Sequence, residues 1–208
     1  MTYIVMYKAS TLKRPTYHHG NLSESLIALA LEALENGGPE TLALSALASR
    51  AGVSGMAPYR HFKDKAALLE AVARRGFEML RADLAAVDDA AEPRKALIAF
   101  GAAYVRFALR QPGLFRVMFD GAPPTPDEAL SADGSTVYGL FLSRIAEVVT
   151  PARRGDAFLA CWCLMHGMAC LSVAGRIRNP AEPAPDLALR LGALTLDGLI
   201  GDGDGATS

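Results

Sequence analysis

No segment of this chain alternates apolar and polar residues over the length of a strand, so a sheet is excluded as its organising element. Aromatic residues make up only 7% against a hydrophobic total of 51%. An apolar fraction carried mainly by Ala and Leu favours helices, because these two lead the helix-propensity scale. Cysteine is sparse: Cys161, Cys163 and Cys170 all fall in one short stretch. An odd, crowded set argues against a disulfide framework and for a reducing, cytoplasmic setting. Nor do these thiols make a metal site. Cys161 and Cys163 stand about 200° apart around a helix, Cys163 and Cys170 are too far apart for one ion, and no His or acid is spaced to join them. A secretory leader is not expected, because Ile4-Val5-Met6 is too short for an apolar core and basic residues follow it.

Catalytic constellations are missing as well. There is no paired carboxylate, no Ser/His/Asp grouping and no phosphate loop, so neither an enzyme nor a cofactor is expected. The formal net charge of −1 gives no global sign of a nucleic-acid partner. The run Ala157–Gly175 lacks any acid, Lys or Arg. It is diluted by Gly, Ala, Ser and Cys and contains His166, and so reads as a buried core or interface helix, not a membrane span.

What is present is helical periodicity punctuated by Gly and Pro. Asn21 is placed to cap a first helix whose stripe is Leu22, Leu26, Leu29, Ala30 and Ala33, and Asn36-Gly37-Gly38-Pro39 ends it. A second helix runs from about Ala43 to Ala51, and Gly52 breaks it. Ser54 is expected to cap a third helix reaching His61, with Pro58 tolerated in its first turn. Asp64 caps a fourth, with Leu69, Val72, Ala73, Gly76 and Leu80 along one side, ending near Val87. Further helices follow over 93–110, 114–119, 127–150 (interrupted at Asp133-Gly134), 154–177 and 186–200, separated by an acidic hinge at 88–93 and proline-rich loops.

Charge is distributed unevenly along this pattern. Residues 1–65 carry seven cations against five acids, while the remainder carries 14 against 17, so the basic surplus sits at one end. Within that end, Ala43–Lys65 has the parts of a helix-turn-helix. Gly52 permits the sharp turn and Ser54 starts the inserted helix. Tyr59 and His61 are able to donate to phosphates, and Lys65 opens the next helix, where its charge adds to the free backbone N–H groups.

Ala51-Gly52-Val53-Ser54, Tyr59-Arg60-His61-Phe62, Lys65 and Leu68-Leu69, together with the lead-in Tyr17-His18-His19-Gly20-Asn21-Leu22, resemble the tetracycline-repressor (TetR-like) family of bacterial regulators. The resemblance covers residues 17–72. It implies an all-α homodimer: an N-terminal three-helix helix-turn-helix head joined to a C-terminal helical ligand-binding and dimerisation body. The corresponding divisions are a flexible basic arm at 1–19, the DNA-binding head at 20–66, the body at 67–201 and a flexible tail at 202–208. By the same resemblance, Gly55, Met56 and Ala57 face bases while Tyr59, His61 and Lys65 hold phosphates. Thr41, Ser45, Ser54 and Arg60 complete the expected interface with double-stranded DNA. Two positions depart from the family pattern. Ala43 stands where a capping Ser or Thr is usual, which leaves open whether Thr41 substitutes, and Ser45 stands where Arg is common. Since residues 55–58 carry no side-chain donor, direct readout would rest on thymine methyls, backbone groups, Arg60 or the arm. The arm (Lys8, Lys13, Arg14, Tyr17, His18, His19) reads either as a disordered tail or as a segment lying on the DNA backbone or in a minor groove.

In the body, Trp162 and His166-Gly167 resemble a Trp-x-x-x-His-Gly subgroup of the same family, as does Leu114–Phe119. Phe100, Tyr104, Phe107, Phe115, Met118, Phe119, Trp162 and His166 are the candidate lining of a pocket for a small, mainly apolar effector. Core packing explains each of them equally well. Leu187, Leu191, Leu194 and Gly198 form a stripe on the last helix. Small residues at Gly167, Ala174, Gly192 and Ala193 allow close approach, and the resemblance implies dimerisation through the last two helices. The function expected is a ligand-responsive transcriptional regulator, most commonly a repressor released from a pseudo-palindromic operator. The competing classes are an enzyme working in the body pocket and a DNA-binding protein without a ligand.

Overall fold

The chain is helical throughout the residues that the computed structural model describes, which are 22–87, 92–119, 136–177 and 182–201. The arm, the Asn21 cap, most of the 88–93 hinge, the loop with Asp133-Gly134 and the tail lie outside the described residues. Among the described residues, eight α-helices follow in order: α1 Leu22–Asn36, α2 Leu44–Arg50, α3 Lys65–Ala85, α4 Pro93–Arg110, α5 Pro112–Phe119, α6 Val137–Ala146, α7 Arg154–Val173 and α8 Ala184–Gly201. Short 3-10 turns occupy Pro39–Thr41, Ala57–Arg60 and Pro151–Arg153.

Local chemistry sets the ends of these helices. Asp64 caps α3 by accepting the Ala67 amide at 2.8 Å, and Thr136 does the same for α6 through Gly139. At the end of α2, Gly52 takes a φ of +69° and the Val53 amide reaches back to Ala48 O at 3.0 Å. That left-handed closure favours glycine, and it turns the chain sharply into the next segment. An equivalent closure ends α7, with Gly175 at φ +67° and Arg176 N bonded to Leu171 O at 2.8 Å.

The head is built by burying Leu26, Ile27, Ala30 and Leu34 of α1 against Leu44, Leu47 and Ala48 of α2, with Phe62 closing the base. Helix α3 leaves the head and runs into the body, packing on α1, α4, α5 and α6. Its buried row is Leu68, Val72, Gly76, Leu80 and Leu84, whereas Leu69 and Ala73 are half-buried. Three residues of the stripe expected from sequence, Val72, Gly76 and Leu80, are thus in the buried row, which runs through Leu68 and Leu84 with Leu69 and Ala73 on its edge. Helix α4 is the central strut of the body. Nine of its residues, from Ala96 to Ala108, are buried, and it packs chiefly against α7 and α8.

Helix α7 with its leading turn is long and apolar enough to cross a membrane by length and composition. Here it packs on α4, α6 and α8, which accounts for part of that apolarity. One flank stays uncovered in the single chain. Leu159 and Leu171 are each 47% exposed, Cys163 is exposed, and Leu194 on α8 is 60% exposed.

Two glycines bear opposite loads. A Cβ on Gly113, at the start of α5, would sit 2.3 Å from Leu34 O and 2.6 Å from Gly37 O, which are backbone atoms at the end of α1. On Gly101, in the middle of α4 and beside an apolar void of about 30 Å³, a Cβ would meet no atom within 4 Å. In urea unfolding at fixed protein concentration, Gly113→Ala is expected to destabilise the fold by about 1–3 kcal/mol through overpacking. Gly101→Ala is expected to stabilise it by up to about 1 kcal/mol through helix propensity. Equal effects of the two would contradict this packing.

Candidate nucleic-acid interface and body cleft

Between α2 and α3 the chain makes a tight, exposed turn. Ala57 N bonds to Ser54 O at 2.9 Å, Tyr59 N to Met56 O at 3.3 Å and His61 N to Pro58 O at 2.9 Å, all with 3-10 spacing. The α-helix expected from Ser54 to His61 is therefore a four-residue 3-10 turn, Ala57–Arg60, and Ser54 is not its cap. The physical cause is local. Gly55 is a poor helix former and Pro58 has no N–H to give, so an α-type bond is reached only at Phe62 N to Pro58 O. Pro58 and Phe62 are buried and pin the turn to the head.

The same anchoring pushes the other side chains outward. Met56 is 72% and Tyr59 47% exposed. Ser54, Gly55, Arg60 and His61 are also exposed, while Ala57 and Lys65 are half-buried. Arg60, Lys63 and Lys65 have no ion-pair partner among the described residues, so this end presents uncommitted positive charge. Arg50, by contrast, is held by Glu32 at 2.6 Å. Thr41 does not replace the missing cap of α2. Its hydroxyl donates to Gly38 O at 2.7 Å within its own turn, and the cap position, Ala43, has no side-chain bond. Ser45 is exposed in the first turn of α2.

In the body, five of the eight candidate residues converge. Tyr104 of α4, Phe115 and Phe119 of α5, and Trp162 and His166 of α7 form one aromatic cluster. Trp162 stacks on His166 at 5.0 Å and 9°, Phe119 lies 4.7 Å and Phe115 5.7 Å from the His166 ring, and Tyr104 lies 5.8 Å from Phe115. The Tyr104 hydroxyl is 2.9 Å from His166 Nδ1. As that nitrogen is the acceptor available to the buried phenol, Tyr104 donates and the ring proton sits on Nε2. Nε2 in turn faces Cys170 Sγ at 3.4 Å. Burial is the main cause that pushes the Tyr104 phenol above its ordinary range, with smaller contributions from the neighbouring ionisable groups of Tyr138 and Cys170, and burial holds His166 below its ordinary value. Burial thus favours the neutral ring over the imidazolium.

The other three candidates are placed elsewhere. Phe100 stacks on Phe141 at 5.4 Å, Phe107 is buried beneath the Arg110 guanidinium, and Met118 fills the space over Gly76. Sequence reasoning passed over four residues that the fold adds. Tyr138 contacts Trp162 at 5.2 Å, Phe77 contacts Phe119 at 5.4 Å, and Arg116 and Cys170 line an open cleft of about 420 Å³ with Phe115, Phe119 and His166. Arg116 had a signal in the sequence, being one charge between two aromatics of an otherwise apolar run. Tyr138 and Phe77 had none, since both lie off the main stripe of their helices. Among the described residues, no Asp or Glu lines the cleft, and no cluster of metal-binding side chains exists.

Known proteins share both parts of this arrangement. Residues 26–72 match the family described as bacterial regulatory proteins, tetR family, and residues 97–194 match the tetracyclin repressor-like C-terminal domain. A solved structure of a protein with unknown function from Rhodococcus sp. RHA1 is 30% identical, with 90% of this chain and 100% of that chain covered and a TM-score of 0.69. The chain belongs to the TetR family. Two TetR-family structures also share the fold. A variant of TetR from Acinetobacter baumannii AYE in complex with minocycline has 24% identity, 89% and 98% coverage and a TM-score of 0.57. The regulator PfmR from Thermus thermophilus has 20% identity, 82% and 96% coverage and a TM-score of 0.54. No curated protein matches the sequence. As a TetR-family member, the chain is a DNA-binding transcriptional regulator and not an enzyme.

Two outcomes follow from this geometry. Asp64→Ala removes the carboxylate from the Ala67 amide and is expected to cost about 1 kcal/mol in chemical unfolding. For His166, the unfolded chain gains a proton as pH falls through about 6.5, while the folded chain resists it because its value is depressed. Stability should therefore decline from pH 6.5 downward until the depressed value is passed. His166→Gln keeps an acceptor for Tyr104 and should flatten that part of the pH–stability curve; an unchanged slope would place the titration on another group.

Proposed function

We propose that this TetR-family regulator is a ligand-responsive repressor, acting as a homodimer on a pseudo-palindromic operator and released from it by a small, mainly apolar effector. The observation that carries the reading is the shared position of α5. This helix contributes Phe115 and Phe119 to the aromatic cleft, while its first residues rest against the last carbonyls of α1 in the head. The cleft lies between α5 and the end of α7, so a molecule that widens it pushes α5 away from α7, and α5 carries that movement to α1 and α3, on which it packs. Effector and operator then antagonise each other reciprocally. The neighbour bound to minocycline is a ligand complex on the same fold.

At the DNA, Tyr59, His61 and Lys65 act as phosphate contacts, with Arg60, Ser54, Ser45 and Thr41 at the edges of the interface. Gly55, Met56 and Ala57 meet base edges through apolar contact. The partner subunit covers the open flank of α7 and α8, where Leu159, Leu171 and Leu194 are exposed. Two-fold symmetry then sets the half-site spacing at about one helical turn of DNA.

Selection of bound duplexes from a random pool tests the DNA half of this reading. The expected product is a pseudo-palindrome, and a pool that enriches no sequence would overturn it. With that operator, Lys65→Ala should weaken binding to all sequences alike and lower the salt slope by about one phosphate equivalent. Leu194→Glu places a charge on the uncovered flank. Light scattering should then show monomers, with operator affinity falling in parallel; a dimer that persists would move the interface elsewhere.

A further inference from the structure

The cleft beside His166 has a chemical polarity of its own. Its walls are the rings of Phe115 and Phe119 with the aliphatic Val173, and its one charged side chain among the described residues is Arg116. Three arginines elsewhere in the body are each held by a carboxylate, Arg94 by Asp197, Arg110 by Asp83 and Arg190 by Glu182. Arg116 has neither a hydrogen bond nor an ion pair among the described residues. The remaining side-chain polar groups at the cleft are donors too. With Nδ1 occupied by the Tyr104 hydroxyl, His166 turns an Nε2–H toward Cys170, whose own S–H is a weak donor. No carboxylate of the described residues faces the space. A volume of about 420 Å³ is that of a small-molecule site.

A rim made of donors beside aromatic walls is complementary to a molecule with an apolar body and an end that only accepts hydrogen bonds. A carboxylate adds a charge-assisted contact at Arg116 that a neutral ligand lacks, and a cation is repelled by the guanidinium. We propose that this cleft binds a small aromatic or alkyl carboxylate, its carboxylate paired with Arg116 and its apolar body against Phe115 and Phe119. The proposal rests on the reading of this cleft as the effector site and adds the charge class of the effector. The planar guanidinium fork suits a carboxylate, which it engages through two parallel N–H donors.

The chain carries a built-in reporter. Trp162 is the single tryptophan, and its ring lies 6.2 Å from Phe119 and 5.0 Å from His166. Titration of the full-length protein, with Trp162 emission as the signal, compares 3-phenylpropanoate with its neutral isostere 3-phenylpropanamide. The carboxylate is expected to bind at least about tenfold more tightly, the gain of a charge-assisted pair over a neutral contact. Arg116→Gln should reduce its affinity to that of the amide and leave the amide unchanged, whereas Arg116→Lys should retain part of the preference. Arg116 is exposed, so these variants leave the core intact. Equal affinity for the two probes, or a preference that survives Arg116→Gln, overturns the anionic selectivity and leaves the cleft an effector site. Binding of neither probe overturns both.

Discussion

At Gly113 the body touches the head backbone to backbone. The missing side chain lets the start of α5 lie directly on the carbonyls of Leu34 and Gly37, at distances no Cβ could occupy. One turn further along, Met118 of the same helix lies on Gly76 of α3, where a Cβ would come within 2.6 Å of its sulfur. These two close approaches seat α5 between the helix that ends the head's first segment and the helix that leaves the head. Packed interfaces of this kind respond by shifting as units, not by deforming gradually. A short helix of eight residues, Pro112–Phe119, thereby joins a ring cluster in the body to the frame of the DNA-binding turn.

The two ends of that connection have contrasting chemistry. At the head, the exposed turn is nearly bare of base-directed donors, while phenol, imidazole and uncommitted cations surround it. In the proposed reading, affinity there is set mostly by phosphates, and selectivity by apolar contact, DNA shape and the spacing of two heads. In the body, a buried phenol is spent on one imidazole nitrogen, which fixes the tautomer and turns the other nitrogen's proton outward. His166 is thus both a core residue and part of the cleft wall, so the two readings open from sequence are not exclusive. The thiols nearby remain protonated, since burial pushes Cys161 up to about 11 and raises Cys170 as well. Donors without a base or nucleophile suit recognition better than catalysis.

The amino-acid sequence by itself determined the helical class, most helix limits and the location of the DNA-facing turn. These depend on short-range rules: Ala and Leu propensity, the Asp64 cap, the Gly52 turn, and Pro93 with Gln111-Pro112 bounding α4. It also offered eight pocket candidates, among them Tyr104, Phe115, Phe119, Trp162 and His166, because aromatics are rare enough here for each to stand out. Tertiary structure alone decided the rest. The 3-10 turn at 57–60 is an exception, since Gly55 and the missing N–H of Pro58 set it locally and only its anchoring by buried Pro58 and Phe62 is tertiary. That Phe100 and Met118 belong to packing and not to the cleft was decided by Phe141 and Gly76, each more than a helix away in sequence. The roles of Arg116, Tyr138 and Gly113 have the same origin. Each acquires its function only when α5, α6 and α7, or α5 and α1, are brought within a few ångströms, and periodicity along one helix carries no information about what another helix places opposite it.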